Sequence, residues 1–166
     1  MKSMFLLTIV TVFSLAAFAA AGKSVSYKSG EETVQAMLYT PAGKGPFPAI
    51  VVIHEWWGLN DWVKEQASKL ADQGYVTLAI DLYRGKVATT PDLAHELVRG
   101  VAEDRAARDL HAAVEFLKSQ KNVIKTELAP SAGVWGADIH STSRSRSQPS
   151  RRTLLITAIS LQIPSN

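Results

Sequence analysis

Apolar residues change their spacing along this 166-residue chain, and the changes mark out its elements. From Thr33 to Tyr39, Val34, Ala36 and Leu38 alternate with other side chains, which predicts a half-buried strand. Pro41 to Pro48 breaks the alternation with two Gly and three Pro. Ala49 to Ile53 is then an unbroken apolar run, the pattern of a central parallel strand covered on both faces. A helix is expected after Asn60 or Asp61, with Val63, Ala67, Leu70 and Ala71 on its inner face and Gly74 as its stop. Tyr75 to Ile80 reads as a second buried strand.

Two further helices follow. Thr90-Pro91 is a cap and first-turn pair, with Leu93, Leu97 and Val98 facing inward. From Glu103, the residues Ala106, Leu110, Ala113, Val114 and Leu117 keep a helical period to about Lys118. Asp104 with Arg108, and Arg105 with Asp109, lie one turn apart and predict a solvated ladder of charges on the outer face. Strand, helix, strand and helix with buried strands imply an α/β fold, a doubly wound and mostly parallel sheet with right-handed crossovers. Ligands of such sheets bind beyond the carboxyl ends of the strands, so Glu55 to Gly58 and Asp81 to Arg84 belong to the functional rim.

The residues at that rim limit the chemistry. His54-Glu55 suggests a metal, but the zinc-protease motif needs a second His one turn later, where this chain has Gly58, so no metal is expected. Arg84 suits either an anionic small molecule or a structural ion pair with a carboxylate such as Asp81. Trp56 and Trp57 fit the wall of an apolar pocket or the core, and their place directly after a rim Glu favours the pocket. His95 and His111 sit beside charged residues and are expected to be exposed.

The two ends of the chain differ from its middle. Met1 to Gly22 has Lys2, an apolar run from Met4 to Phe18 and small residues at Ala17, Ala19, Ala20 and Ala21. This is the pattern of a secretory signal peptide over residues 1–21, cleaved after about Ala19 or Ala21. A membrane anchor is the other reading, and the apolar stretch is marginal for it. The net charge of +3 lies wholly in the last part of the chain, because fourteen Lys and Arg balance fourteen Asp and Glu over residues 1–130. Ser141 to Arg152 is rich in Ser and Arg, and Leu154 to Ile163 is apolar enough for a strand. The basic segment suits either an arm for nucleic acid or acidic lipid, or a sequence never selected for this fold. There is no cysteine, which excludes a disulfide scaffold, Cys-ligated metal sites and a thiol nucleophile in the chain as written.

Three ordered segments, Pro48 to Asn60 (PAIVVIHEWWGLN), Leu70 to Tyr75 (LADQGY) and Ala79 to Arg84 (AIDLYR), resemble the dienelactone hydrolase family of the α/β-hydrolase fold. The resemblance covers about Val25 to Val123. It implies hydrolysis of ester or lactone bonds by nucleophilic acyl transfer with a Cys, a His and an Asp, the Cys sitting on a sharp strand-to-helix elbow, and no cofactor. It implies that Glu55 contacts the resting thiol and that the backbone N–H of Trp56 supplies half of the oxyanion hole. Arg84 would hold the substrate carboxylate, with Trp57 beside it, although the offset of the family's Arg is not fixed.

Where the family has a strand and then an elbow such as G-W-C-M-G-G-G, this chain has Ser131 to Ser141 (SAGVWGADIHS), without a nucleophile. Reading back-translated codons from their third base, Ser131 to Thr142 permits G-W-C-M-G-G-G-Y-S-L-D, and Glu127 to Ser131 permits the missing strand I-G-S-V. The expectation is a reading frame that slips near Glu127. The chain then divides into a signal peptide (1–21), an incomplete hydrolase domain (22–127) and an out-of-frame tail (128–166). It is expected to be exported, to the periplasm or outside the cell, to have an ester or lactone as its small-molecule partner, to bind no nucleic acid and to have no stable membrane anchor. Without nucleophile, Asp and His it is expected to be inactive. The alternative is a non-catalytic module that binds a small molecule or anion.

Overall fold

A computed structural model describes residues 20–125 and 155–158 of the chain. Strands β1 (Lys23–Ser29) and β2 (Glu32–Tyr39) form an antiparallel hairpin, and β2 continues antiparallel to β4 (Val76–Ile80). β4 pairs in parallel with β3 (Ala49–Ile53), and β3 in parallel with β5 (Leu155–Ala158). The order is β1-β2-β4-β3-β5. The parallel centre matches the expectation from the two apolar runs. The antiparallel hairpin on one side makes the sheet mixed, and β1, whose burial is confined to alternate positions, carries no strong sequence signal.

Alternation along the buried strands sends side chains to two separate cores. Val51, Val76, Leu78 and Ile80 pack with Ala113, Val114 and Leu117 of helix α3 (Glu103–Ser119) on one face. Ile50, Val52 and Ala79 pack with Val63, Ala67 and Ala71 of helix α1 (Asp61–Asp72) on the other. Thr77 is fully buried beneath α1, and its hydroxyl donates to the Ala67 carbonyl at 2.9 Å, so its polarity is satisfied. Helix α1 starts as predicted, with the Asn60 side chain accepting the Val63 N–H, and α2 (Pro91–Arg99) starts with Thr90 capping Leu93.

The charge ladder expected on α3 is solvated only in part. Asp109 is fully buried, its carboxylate meets Arg84 at the end of β4, and Arg108 reaches Glu32 at the start of β2. Arg105 donates to the carbonyls of Leu82 and Gly100. Asp109 and, in part, Arg105 face the sheet end instead of water because α3 packs with that side against β1 and the rim turn, a placement the helical period alone does not reveal; Asp104 and Arg108 are exposed, as expected.

After α3, Val123 bridges Phe47 in parallel, through Phe47 N–H to the Asn122 carbonyl and Ile124 N–H to the Phe47 carbonyl. The chain thus returns beside the segment that leads into β3. The β3 edge itself is paired by Leu155–Ala158, within the apolar stretch expected to be extended. The segment expected to be a signal peptide, as far as Ala19, the expected frame change near Glu127 and the stretch Ser131 to Ser141 expected in the elbow's place lie outside the described residues.

Candidate active site

The rim is built from two turns at the carboxyl ends of neighbouring parallel strands. After β3, the Gly58 N–H closes a turn onto the Glu55 carbonyl at 3.1 Å. Gly58 has φ 91°, and a Cβ there would stand 2.6 Å from the Lys86 carbonyl oxygen, so glycine is required for both conformation and space. After β4, the Asp81 carboxylate accepts the N–H of Tyr83 at 2.9 Å and that of Gly85, which winds the chain so tightly that Arg84 adopts φ 54°. A left-handed conformation is unusual for an arginine and holds its side chain in one direction.

His54 joins the two turns. Its Nε2 accepts the Leu82 N–H at 3.1 Å, so the ring proton is on Nδ1, which donates to the Glu55 carbonyl at 2.6 Å. Burial lowers the His54 pKa below its ordinary value, which keeps the ring neutral, as this pattern requires. Both nitrogens are engaged with backbone, so His54 is a structural imidazole. Among the described residues no group of three or more His, Asp and Glu is arranged for a metal ion. The Tyr83 hydroxyl adds a third tie, donating to the Trp56 carbonyl at 3.2 Å. Desolvation pushes the Tyr83 pKa up to about 12, so the hydroxyl remains a donor.

These ties matter for the one peptide at the centre of the rim. The Glu55 carbonyl and the Trp56 N–H belong to a single planar unit. With the carbonyl held by His54 and Gly58, the Trp56 N–H points the opposite way within that plane. Trp56 and Trp57 are half-buried with ring centroids 5.0 Å apart, and Trp56 also packs against His95 at 4.9 Å. His95 is exposed, as expected, yet it extends the aromatic row from the β3 turn onto α2, a contact that no local sequence pattern announces.

The Arg84 side chain engages three residues, Glu32, Asp81 and Asp109. Its Nη2 lies 2.6 Å from Glu32 Oε2 and 2.8 Å from Asp109 Oδ2, Nε donates to the same Glu32 oxygen at 3.2 Å, and Nη1 donates to the Asp81 carbonyl. Burial opposes the cation, but the hydrogen bonds it donates to Glu32 and its contact with the Asp109 carboxylate outweigh it and raise its pKa. The hydrogen bond from Arg84 in turn lowers the Glu32 pKa. The carboxylates that pair with Arg84 are therefore Glu32 and Asp109; Asp81, the partner considered from sequence, contributes only its carbonyl because its side chain is taken by the turn. The Tyr27 hydroxyl donates to the Asp109 carbonyl, and burial raises the Tyr27 pKa far above the ordinary tyrosine range.

Residues 34–139 match the family model of the dienelactone hydrolase family. The chain belongs to the dienelactone hydrolase family. A relative from Aquifex aeolicus, provisionally named a carboxymethylenebutenolidase, is 39% identical over 103 residues, covering 58% of this chain and 44% of that one. The carboxymethylenebutenolidase of Pseudomonas putida is 31% identical over 97 residues, covering 53% of this chain and 41% of its own. Among solved structures, a dienelactone hydrolase-like promiscuous phosphotriesterase from metagenomic libraries superposes with a TM-score of 0.56 at 33% identity, covering 64% of this chain and 46% of that one. The chain spans less than half the length of these relatives. Its α/β-hydrolase architecture and its kinship with hydrolases of this family follow from these matches together with the sheet.

Proposed function

We propose that the chain is a dienelactone hydrolase-like protein whose rim is built for ester or lactone hydrolysis by nucleophilic acyl transfer. In that chemistry a thiolate attacks the carbonyl, the leaving group departs as an acyl-enzyme forms, and water activated by His releases the acid. Trp56 would offer its N–H to the oxyanion, Glu55 would face the thiol, and Arg84 with Trp57 would receive the acidic substrate. The observation that carries this is the doubly held Glu55 carbonyl, since a backbone donor stabilises an oxyanion only when it is already fixed in direction.

The same reading makes this chain catalytically silent. It contains no cysteine, and the segment standing in the elbow's place, Ser131 to Ser141, offers no replacement. We attribute this to a change of reading frame near Glu127, which would make the Ser- and Arg-rich tail out-of-frame translation and leave no role for nucleic acid. We also infer export to the periplasm or beyond, on Met1 to Ala21, without a lasting membrane anchor. Cleavage after Ala19 would suit the fold, because Ala20 N–H bonds Asp72 at 3.0 Å and its carbonyl accepts from Ser68.

The test is hydrolysis of p-nitrophenyl acetate by the purified chain, beside a version whose frame is restored upstream of Glu127. Background rate in the first and enzymatic rate in the second is the expected outcome. Turnover by the first would overturn the silent reading, and no turnover by the restored version would overturn the hydrolase reading. A binding module has one observation in its favour, the concavity beside Arg84, where Lys86 and Arg105 also face it.

A further inference from the structure

The guanidinium of Arg84 carries two carboxylates of very different character. Asp109 is fully buried on α3, its Oδ2 2.8 Å from Arg84 Nη2, while Arg84 Nη1 donates to the Asp81 carbonyl. Glu32 is about half exposed, at the first position of β2. It occupies the Nε/Nη2 edge of Arg84, the edge that suits a two-pronged carboxylate, yet it satisfies both donors with the single oxygen Oε2. Its other oxygen, Oε1, lies 3.8 Å from Arg108 Nη2. A Glu32 side chain that swings away from Arg84 thus has a second cation within reach.

Beside this edge lies a concavity of about 490 Å³, lined by Tyr83, Arg84, Lys86, Glu96 and Arg105 as well as Glu32. Three cations face it against two carboxylates, with Asp109 buried behind Arg84 as a third, so removing Glu32 from the edge leaves one net positive charge. A small carboxylate entering from the concavity would meet the Arg84 edge already oriented by Asp109, at little cost in ordering.

We propose that Glu32 is a displaceable internal carboxylate: it sits in the seat of a small carboxylate ligand on Arg84 and yields it by moving to Arg108. This rests on the proposed role of Arg84 in receiving an acidic substrate and adds that the seat is gated by the protein's own side chain. Affinity for the ligand is then set by a competition, and Glu32 discriminates against ligands that bind Arg84 no better than a one-oxygen contact does.

The test titrates maleate, a small planar dicarboxylate, into the full chain and into Glu32→Gln, with calorimetry and the NMR signal of Arg84 Nε–H as readouts and dimethyl maleate as the neutral control. The expected result is a shift of Arg84 Nε–H by maleate and not by the diester, with binding about fivefold tighter in Glu32→Gln, the scale of one exposed ion pair. Equal affinity in the two proteins overturns the proposal, as does binding that moves other signals while Arg84 stays still. Inorganic phosphate binding as tightly as maleate also overturns it, since the seat would then be a general anion site. Arg84→Gln should lose binding; should that variant fail to fold, the Arg84 signal in Glu32→Gln still decides. Hydrolysis of a neutral ester needs no anion on Arg84, so the acyl-transfer reading stands or falls on its own assay.

Discussion

His54 Nε2 accepts the Leu82 backbone N–H at 3.1 Å, so the imidazole ending β3 is bonded to the turn ending β4. Protonation would place an N–H against an N–H and break this tie while the opposite bond to Glu55 survived. The geometry therefore makes the rim sensitive to pH through one buried group.

Because burial holds the His54 pKa below its unfolded value of about 6.5, the unfolded chain binds the proton more readily than the folded one. The stabilisation is fully present above that value and is lost as pH falls from it toward the lowered folded value. Thermal unfolding of the full chain should show a midpoint that drops from pH 7.5 to pH 5.5, and His54→Asn should flatten this dependence. At pH 7.5 the substitution should cost about 2 kcal/mol, since Leu82 N–H is left buried without its acceptor. A wild-type midpoint that is flat over this range would contradict the account.

Asp109 gives a second prediction. The buried carboxylate balances Arg84, so Asp109→Ala should destabilise by roughly 2–3 kcal/mol, less than a fully buried pair would, because Arg84 keeps Glu32 and some solvent. Asp104→Ala, five residues earlier and exposed, should change stability by no more than about 0.5 kcal/mol. Urea unfolding of the two variants checks the contrast. Equal effects would return both residues to the solvated ladder.

Much of this fold could be read from periodicity. The run Ala49 to Ile53, the caps Asn60 and Thr90 and the inner face of α3 are local signals, and the structure keeps them within a residue or two. The rim of strand ends was legible in position and not in pairing. Strand ends place Glu55, Trp56 and Arg84 at one rim, but which carboxylate meets Arg84 depends on how α3 packs, information spread over residues 52 and 25 positions away in sequence. His54 was missed as a structural tie for the same reason: its partner Leu82 is 28 residues on, and only the parallel pairing of β3 with β4 brings them together. The signal that could have found it is a lone His ending a strand that is otherwise wholly apolar.

The Tyr83 hydroxyl supplies a third prediction. Tyr83→Phe removes one hydrogen bond to the Trp56 carbonyl and keeps the ring that packs edge-on to His54 at 4.4 Å. The cost should be about 1 kcal/mol. Combined with His54→Asn the loss should differ from the sum of the two, because both ties hold one turn, and a double-mutant cycle by chemical denaturation measures the difference. Simple additivity would mean that the two turns are held independently.

Gly58 at the rim and Gly74 just beyond the end of α1 separate two reasons for glycine. Both have left-handed backbones, φ 91° and 98°, so alanine at either should cost about 1 kcal/mol in conformation. At Gly74 the added methyl meets nothing within 4 Å. At Gly58 it would stand 2.6 Å from the Lys86 carbonyl and 3.1 Å from the Tyr83 ring, forcing the β3 turn away from the β4 turn. Gly58→Ala should therefore cost about 2 kcal/mol more than Gly74→Ala. It alone should change the tryptophan fluorescence, since Trp56 and Trp57 ride on the displaced turn while Gly74 lies at the far end of α1. Matching costs and unchanged emission in both variants would show that the two turns do not press on each other, and the pinned Glu55–Trp56 peptide would lose its support.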